Sequence, residues 1–144
     1  MYVLVVGGAG YIGSHMVHAL IQAGYVPIVL DDLSSGHADA VVGAELIEGC
    51  CSDQQLLRQV FQRFNFCAVM HFASFIQVGE SSADPAKYYS NNVCKTAALL
   101  EAMLSAGVKN FVFSSTAAVY GNPSNEVIRE SDRKSPINPY GRTK

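Results

Sequence analysis

The stretch from Gly7 to Gly13 constrains the fold more than any other part of the chain, because Gly7, Gly10 and Gly13 recur there at regular intervals. The run before it, 2–6, is continuously apolar and rich in β-branched residues, which is typical of a parallel strand buried on both faces. After Ile12, apolar residues recur at helical spacing until Gly24, where a helix C-cap is expected. The sequence therefore predicts a strand, a glycine turn and a helix in that order.

The three glycines predict a site for a dinucleotide. Without a Cβ, Gly7 can make a tight turn, Gly10 can admit a pyrophosphate to the backbone, and Gly13 can let the helix pack closely. The N–H groups that begin the helix, around Tyr11 and Ile12, together with the helix dipole would attract phosphate. The first interval is one residue longer than in Gly-x-Gly-x-x-Gly, so a plain glycine turn remains the alternative on spacing alone.

An acidic pair follows the second apolar run, which covers 26–30 and carries Pro27 near its start. Asp31 and Asp32 stand about 20 residues after the glycines, where an acid that binds the adenosine ribose is expected. A carboxylate there would accept hydrogen bonds from the ribose and repel a 2′-phosphate, which favours NAD over NADP. A solvated loop remains the alternative for Asp31, and more so for Asp32.

Composition indicates an α/β protein. The chain has 144 residues, long enough for one domain with a substantial core, and 49% of them are hydrophobic against 15% charged. Such a ratio is typical of parallel sheets covered by helices. The net charge of −2 suggests no nucleic-acid partner and no acidic membrane surface. Because no apolar run approaches the roughly 18 residues of a membrane span and no basic leader precedes 2–6, a cytoplasmic location is expected.

The four cysteines are Cys50, Cys51, Cys67 and Cys94, and they contain no Cys-x-x-Cys pair. The histidines are scattered along the chain. Four free thiols and no metal site are therefore expected.

Three further strands and two further helices are predicted. Apolar runs predict strands over 45–49, 66–72 and 109–115. Ser52 or Asp53 is expected to cap a helix with an apolar face between 56 and 64. Between the strands, 33–43 has room only for a short helix, 73–82 is predicted as a loop, and 121–139 as irregular.

The longest predicted helix begins at Asp84–Pro85, which supplies an N-cap and a proline at the first helical position, and ends near Gly107. The residues expected to face the sheet are Tyr89, Val93, Leu100 and Leu104. Asn91 and Asn92 interrupt the helix early, and a buried asparagine needs hydrogen-bond partners, so one of them is expected to bond a loop or a cofactor.

Polar side chains gather near the end of the chain. Ser114, Ser115 and Thr116 follow the fifth strand at the sheet edge where ligands bind in doubly wound folds. Tyr140 and Lys144 would share one face of a helix at positions i and i+4. An ordinary exposed pair at a helix start is the alternative for these two residues.

Six motifs in order identify a family. They are the glycine turn from Gly7, Asp31, His71-Phe72-Ala73, Asn91-Asn92-Val93, Ser114-Ser115-Thr116 and Tyr140-x-x-x-Lys144. Together they resemble the extended short-chain dehydrogenase/reductase family. The longer strings at 7–15, 78–81 and 114–121 are most similar to members that epimerise C4 of a UDP-hexose. The resemblance implies a Rossmann-like, doubly wound parallel sheet, of which this chain holds the first five strands.

The resemblance also implies roles for particular residues. Tyr140 would be the catalytic base, Lys144 would hold the nicotinamide ribose and favour the phenolate, and Thr116 would bond the reacting hydroxyl. The implied NAD-binding residues are Gly7, Gly10, Tyr11, Ile12, Gly13, Asp31, Asp32, Cys50, Cys51, Phe72, Ala73, Asn91, Ser114, Tyr140 and Lys144. The implied reaction passes through a 4-keto sugar while NAD stays bound, and no metal is needed.

Two positions depart from the family pattern, and two more distinguish between kinds of family member. Cys50 stands where many members carry an acid that bonds the adenine amino group, and Ile76 replaces a lysine found in some members. Ala117 and Ala118 stand where related dehydratases place an acidic pair, which favours epimerisation. A dehydratase or reductase acting on another nucleotide sugar remains an alternative, as does a noncatalytic NAD-binding module.

Family members are roughly twice as long as this chain. The resemblance therefore implies that residues 1–144 form an incomplete NAD-binding domain, with the UDP-sugar-binding domain beyond Lys144. It also implies a homodimer for the full-length enzyme, and the 144-residue chain alone is expected not to turn over substrate.

Overall fold

The computed structural model describes residues 1–123 and 127–144 of the chain. Its five strands are all parallel and are β1 (Tyr2–Val6), β2 (Val26–Asp31), β3 (Glu45–Glu48), β4 (Phe66–His71) and β5 (Phe111–Phe113). They lie in the order β3-β2-β1-β4-β5. The chain thus runs outward from β1 to one edge and returns to the other side of β1, which confirms the predicted doubly wound, Rossmann-like sheet.

The helical segments follow the strands in alternation. The α-helices are α1 (Tyr11–Gln22), α2 (Gln54–Arg63), α3 (Val78–Ala83), α4 (Pro85–Tyr88), α5 (Lys95–Ser105) and α6 (Pro139–Arg142). Two 3-10 helices cover Ala38–Ala40 and Ala117–Tyr120, and a π-helix covers Tyr89–Cys94.

The chain divides into two compact units. The first unit comprises Met1–Ala73 and Lys95–Phe113 and contains the whole sheet with α1, α2 and α5. The second unit comprises Ser74–Cys94 and Ser114–Lys144 and contains α3, α4, α6 and the π-helix.

Both faces of the sheet are buried in the first unit. Leu4 and Leu30 are fully buried on one face, where they pack with Leu57 of α2 and Leu99 of α5. Val5 and Val29 are fully buried on the opposite face, in a cluster with Val17 of α1. Burial on both sides explains why β1 and β2 read as continuous apolar runs rather than as alternating patterns.

Local signals set several boundaries correctly. Asp53, one of the two candidate caps for α2, accepts hydrogen bonds from Gln55 N–H and Leu56 N–H over 2.9 and 3.0 Å. Gly24 follows α1 at φ 79° and Gly107 follows α5 at φ 75°, a left-handed conformation that favours glycine at a helix end. These predictions are confirmed.

The predicted sheet-facing side of the long helix is wrong. Tyr89, Val93, Leu100 and Leu104 are 42%, 41%, 36% and 73% exposed. The buried side of α5 is instead formed by Leu99, Ala102 and Met103. Since α5 carries apolar residues on more than one face, its periodicity alone did not select the face that packs against the sheet.

Two other segments also differ from the sequence prediction. The predicted loop 73–82 contains most of α3, a short helix whose Ser81 is fully buried and donates through its hydroxyl to Val78 O. The predicted single helix 84–106 is divided into α4, a π-helix and α5, with the π-helix at the two asparagines. Part of the predicted irregular stretch 121–139, residues 124–126, lies outside the described residues.

Adjacent leucines on α5 allow a matched test of this packing. Leu99→Ala should lower the free energy of unfolding by about 2–5 kcal/mol, because it opens a cavity in the core. Leu100→Ala should lower it by less than about 1 kcal/mol, since that side chain is partly solvated. Urea unfolding monitored by circular dichroism gives both values, and equal losses would contradict the assigned face.

Candidate functional site

The glycine turn after β1 is held by close internal contacts. Gly7 has φ +81°, and a Cβ on it would lie 2.5 Å from the backbone nitrogen of Ala73. A Cβ on Gly13 would lie 2.1 Å from the carbonyl oxygen of Gly7. Both positions exclude any side chain, because no real Cβ approaches backbone atoms so closely.

Gly10 differs from these two glycines. Its φ of −80° suits any residue, and a Cβ on it would come no closer than 3.4 Å to another atom, the carbonyl oxygen of Gly7. Gly10 is the N-cap of α1 and no side chain caps that helix. The first-turn residues Tyr11 and Ile12 are 83% and 57% exposed. The helix start therefore offers backbone N–H groups to an approaching anion, with no side chain at Gly10 to obstruct it.

Asp31 holds the glycine turn in place. Its side chain is buried, at 8% exposure, so the solvated-loop alternative does not describe this residue. Oδ2 accepts a hydrogen bond from Ala9 N–H over 2.9 Å, and Oδ1 accepts one from Leu33 N–H over 2.9 Å. The carboxylate thus joins the end of β2 to the turn after β1. Such charge-assisted bonds to backbone N–H groups are among the stronger hydrogen bonds in proteins.

Asp32 is exposed, as the solvated-loop alternative proposed for it. Its Oδ1 accepts hydrogen bonds from Ser34 N–H over 3.1 Å and from Ser34 Oγ over 2.6 Å. Partial burial by itself raises the pKa of Asp32, but the Ser34 hydrogen bonds and the Lys95 ammonium together bring it below its usual value. Asp32 therefore keeps its negative charge beside the end of β2.

The two cysteines after β3 differ in their chemistry. Burial raises the pKa of the Cys51 thiol to about 12. Burial also raises the pKa of Cys50, but hydrogen bonds from Ser52 and the charge of Lys95 outweigh it and leave the value below normal. Cys50 Sγ lies 3.2 Å from Ser52 Oγ. Of this pair, Cys50 is the more readily ionised.

The end of β4 completes this side of the first unit. Phe72 N–H donates to Val6 O over 2.7 Å, which places Ala73 against Gly7. Sequence reasoning missed Gly36, where a Cβ would lie 2.8 Å from Ala9, and His37, whose N–H donates to Ala9 O over 3.1 Å. A glycine in the loop after Asp31 was the available signal. The loop therefore packs on the glycine turn.

The second unit brings Tyr140 and Lys144 into a defined arrangement, and both are half-buried. Asn138 caps α6 by accepting from Gly141 N–H over 2.8 Å. The Lys144 ammonium donates to Ser74 Oγ and to Ser114 O, each over 2.7 Å. Burial lowers the pKa of Lys144 to about 8. The lysine is therefore a fixed, partly desolvated cation rather than an exposed one.

The predicted hydroxyl cluster lies in the same unit. Thr116 Oγ1 accepts from Ala118 N–H over 3.2 Å and caps the 3-10 helix Ala117–Tyr120. Its own O–H can still donate to another group. A Cβ on Gly141 would lie 2.6 Å from Ala118 O, so α6 packs directly on the segment that Thr116 begins. Ser114, Thr116, Tyr140 and Lys144 thus belong to one packed structure.

The structure separates the roles of the two asparagines. Asn92 is 1% exposed; its Nδ2 donates to Phe75 O over 3.0 Å and to Thr143 Oγ1 over 3.1 Å. Its Oδ1 accepts from Phe75 N–H over 2.9 Å and from Asn91 Nδ2 over 3.0 Å. Asn92 is therefore the asparagine that bonds a loop. Sequence reasoning named Asn91 for the site and did not include Asn92.

With this geometry established, comparison with known proteins identifies the family. The model of the NAD dependent epimerase/dehydratase family matches residues 3–144. The chain belongs to that family. The cysteines Cys50, Cys51, Cys67 and Cys94 are free thiols in the structure. Within residues 1–123 and 127–144, no cluster of three metal-ligating side chains occurs and no helix is long and apolar enough to cross a membrane.

Individual relatives show which kind of family member the chain is similar to. A UDP-glucose 4-epimerase of Rhizobium meliloti (strain 1021) is 52% identical over 142 residues, which are 99% of this chain and 43% of the relative. One from Streptomyces lividans is 51% identical, with 98% and 44% covered. The crystal structure of UDP-glucose 4-epimerase from Brucella ovis in complex with NAD has a TM-score of 0.96 and 49% identity, covering 99% and 44% of the two chains.

These comparisons confirm the predicted similarity to UDP-glucose 4-epimerase. The chain spans less than half the length of the relatives it matches, as the sequence analysis expected.

The depressed pKa of Lys144 predicts an unusual pH profile. In the folded chain, acylation of Lys144 should rise with a midpoint near pH 8, whereas in denaturant it should rise near the ordinary 10.5. The folded chain releases the proton first, so between these values the unfolded chain binds more protons and Lys144 makes the free energy of unfolding increase with pH. Mass spectrometry after pulsed acetylation measures the profile, and identical midpoints in both states would contradict it.

Proposed function

We propose that this chain is the NAD-binding portion of an enzyme that epimerises C4 of a UDP-hexose, interconverting UDP-glucose and UDP-galactose. The observation that supports this most strongly is the packed arrangement of Thr116, Tyr140 and Lys144 in the second unit, with the ammonium held by Ser74 and Ser114. Membership of the NAD dependent epimerase/dehydratase family supports it independently.

The glycine turn fits a dinucleotide pyrophosphate. Internal packing accounts for Gly7 and Gly13, whereas among the described residues no atom lies closer than 3.4 Å to a Cβ at position 10. An approaching phosphate does require glycine there, because the uncapped start of α1 can bind an anion only if no side chain covers it. We therefore assign the pyrophosphate to Gly10 and to the N–H groups of Tyr11, Ile12 and Gly13.

The acidic pair after β2 fits an unphosphorylated ribose. Each oxygen of Asp31 accepts one backbone N–H and has capacity for another hydrogen bond, since a carboxylate offers about four lone-pair sites. Asp32 adds a second negative charge beside it. Two carboxylates would repel a 2′-phosphate, which supports NAD rather than NADP. The other residues proposed to contact NAD are Gly7, Cys50, Cys51, Phe72, Ala73, Asn91 and Ser114.

The proton chemistry is assigned to residues of the second unit. Tyr140 removes the proton from the 4-hydroxyl of the sugar, and the Lys144 cation favours the phenolate that this requires. Thr116 donates a hydrogen bond to the reacting oxygen through its O–H, which the bond accepted from Ala118 N–H leaves available. A bound nicotinamide would supply the hydride chemistry at C4, namely removal of the hydride and its return to the opposite face of the 4-keto sugar.

Two residues next to Thr116 favour epimerisation over dehydration. Elimination of water needs an acid and a base beside the sugar, and Ala117 and Ala118 offer neither. This supports the epimerase over the dehydratase alternative.

A homodimer is part of the proposal. Leu100 and Leu104 lie one turn apart on α5 and are 36% and 73% exposed. Apolar residues at this spacing are typical of helices that pack against a partner helix. The cytoplasmic location, the absence of a nucleic-acid partner and the inactivity of the isolated chain stay predictions from the sequence.

Gly10 provides a test of cofactor binding. Gly10→Ala should weaken NAD binding by at least about tenfold in isothermal titration calorimetry, because a methyl group would occupy the approach to the uncapped helix. The fold should be retained, since that methyl group meets no atom closer than 3.4 Å.

Two other glycine-to-alanine variants serve as controls for Gly10→Ala. Gly79→Ala places a methyl group where no atom lies within 4 Å and should leave NAD affinity unchanged. Gly13→Ala, which would put a Cβ 2.1 Å from Gly7 O, should disrupt the turn itself. Full NAD affinity in Gly10→Ala, or no NAD binding by the unmodified chain, would contradict the proposed pyrophosphate site at the glycine turn.

The activity is tested with a protein extended past Lys144 to the length of its relatives. UDP-galactose should be converted to UDP-glucose without net consumption of NAD. Tyr140→Phe, which removes only the hydroxyl, should lower kcat by at least about 10²–10⁴-fold, the usual contribution of a general base. A stable 4-keto product would instead indicate a dehydratase, and NAD binding without any turnover would indicate a noncatalytic module.

A further inference from the structure

The backbone of Tyr140 is held on both sides by buried side chains of the second unit. Its N–H donates to Ser81 Oγ over 3.1 Å, and its carbonyl oxygen accepts from Thr143 Oγ1 over 2.8 Å. Thr143 Oγ1 in turn accepts from Asn92 Nδ2 over 3.1 Å. Ser81, Asn92 and Thr143, here called the Tyr140 anchor, thus connect α3 and the π-helix to α6.

The three members are buried well beyond what is usual for polar residues. Ser81, Asn92 and Thr143 are 0%, 1% and 5% exposed. A buried polar group is costly unless it is hydrogen-bonded, so such groups fix local geometry when they are satisfied. Each of the three bonds to backbone or to another buried polar group.

The direction of each hydrogen bond is set by its neighbours. The Ser81 hydroxyl donates to Val78 O over 2.7 Å, so its lone pair is what meets Tyr140 N–H. Phe75 N–H donates to Asn92 Oδ1, which leaves Nδ2 to face Thr143. Since Thr143 donates its own proton to Tyr140 O, it must accept from Asn92. The anchor therefore has one consistent arrangement of donors and acceptors.

The ring of Tyr140 is supported by a residue of α4. The Tyr88 ring lies edge-on to it, with centroids 6.5 Å apart, and Tyr88 is fully buried. The Tyr88 hydroxyl accepts from Gln77 N–H over 2.9 Å and donates to Glu80 Oε2 over 2.8 Å. Val-Gly-Glu-Ser, residues 78–81, thereby gains a physical role, since Glu80 fixes the supporting ring and Ser81 fixes the backbone.

We propose that Ser81, Asn92 and Thr143 are positioning residues for Tyr140, an inference that rests on the epimerase function proposed above. Ser81 and Thr143 bond the Tyr140 backbone, and Asn92 bonds Thr143. They act by fixing the backbone from which the phenol projects, so that its oxygen stays within reach of the sugar 4-hydroxyl. A displacement of about 1 Å at such a base costs on the order of 100-fold in rate.

Adjacent serines supply a matched test in the extended protein. Ser81→Ala removes the acceptor for Tyr140 N–H and should lower kcat for UDP-galactose by about 10–100-fold, with KM and NAD affinity changed by less than about threefold. Ser82 is exposed and its hydroxyl reaches the same Val78 O over 3.4 Å, without a bond to Tyr140. Ser82→Ala should leave kcat unchanged. Equal effects at both serines would overturn the proposal.

Thr143 provides an independent pair. Thr143→Val keeps the side-chain shape and removes the hydroxyl that links Asn92 to Tyr140, so kcat should fall as in Ser81→Ala. Thr143→Ser restores the hydroxyl and should recover most of the lost rate. Loss of kcat in both variants, or in neither, would contradict a hydrogen-bonded anchor. If Ser81→Ala does not fold, the two Thr143 variants still test whether the anchor positions Tyr140.

Amide exchange separates this inference from the proposed function. In Ser81→Ala, hydrogen exchange at Tyr140 N–H, followed by NMR, should accelerate by at least about tenfold, whereas Ser82→Ala should match the unmodified protein. If the unmodified protein has no epimerase activity, the proposed function fails while exchange still reports the anchor. Unchanged exchange in Ser81→Ala would show that the anchor itself is absent.

Discussion

The rest of the candidate site in the first unit depends on the two hydrogen bonds that the buried carboxylate of Asp31 accepts. By accepting N–H groups from Ala9 and Leu33, it joins the end of β2 to the turn that follows β1. The contact of Gly7 with Ala73 adds the end of β4. Three strand ends are thereby fixed around the start of α1. These contacts give defined surroundings to the uncapped N-terminus of α1, where we propose that a phosphate binds.

The second unit uses the same physical device with neutral groups. Asn92 bonds both backbone groups of Phe75, and Ser81 bonds the backbone of Tyr140. Lys144 is fixed by Ser74 and by the carbonyl of Ser114. In both units, buried polar side chains form hydrogen bonds with backbone N–H and C=O groups of short irregular segments. These groups need such partners because no regular helix or sheet pairs them. In each unit, several residues thus support the position of a smaller number of candidate functional residues.

Charge is arranged differently at the ends of the neighbouring strands. Asp31 and Asp32 follow β2, whereas Cys50 follows β3, where many relatives are expected to carry an acid. Burial raises the pKa of the Cys50 thiol, but hydrogen bonds from Ser52 and the charge of Lys95 outweigh it and leave the pKa below its usual value.

The sequence by itself determined the five strands, the glycine turn and a helix cap at Ser52 or Asp53, and it named Thr116, Tyr140 and Lys144 as candidate functional residues. These depend on residues close in sequence or on motifs with fixed spacing. Only the tertiary structure decided which face of α5 is buried, that α3 is helical, and that Asn92 supports Thr143. The physical reason is that two apolar faces of a helix look alike until a sheet covers one. A buried polar group, likewise, finds its partner only when segments distant in sequence meet.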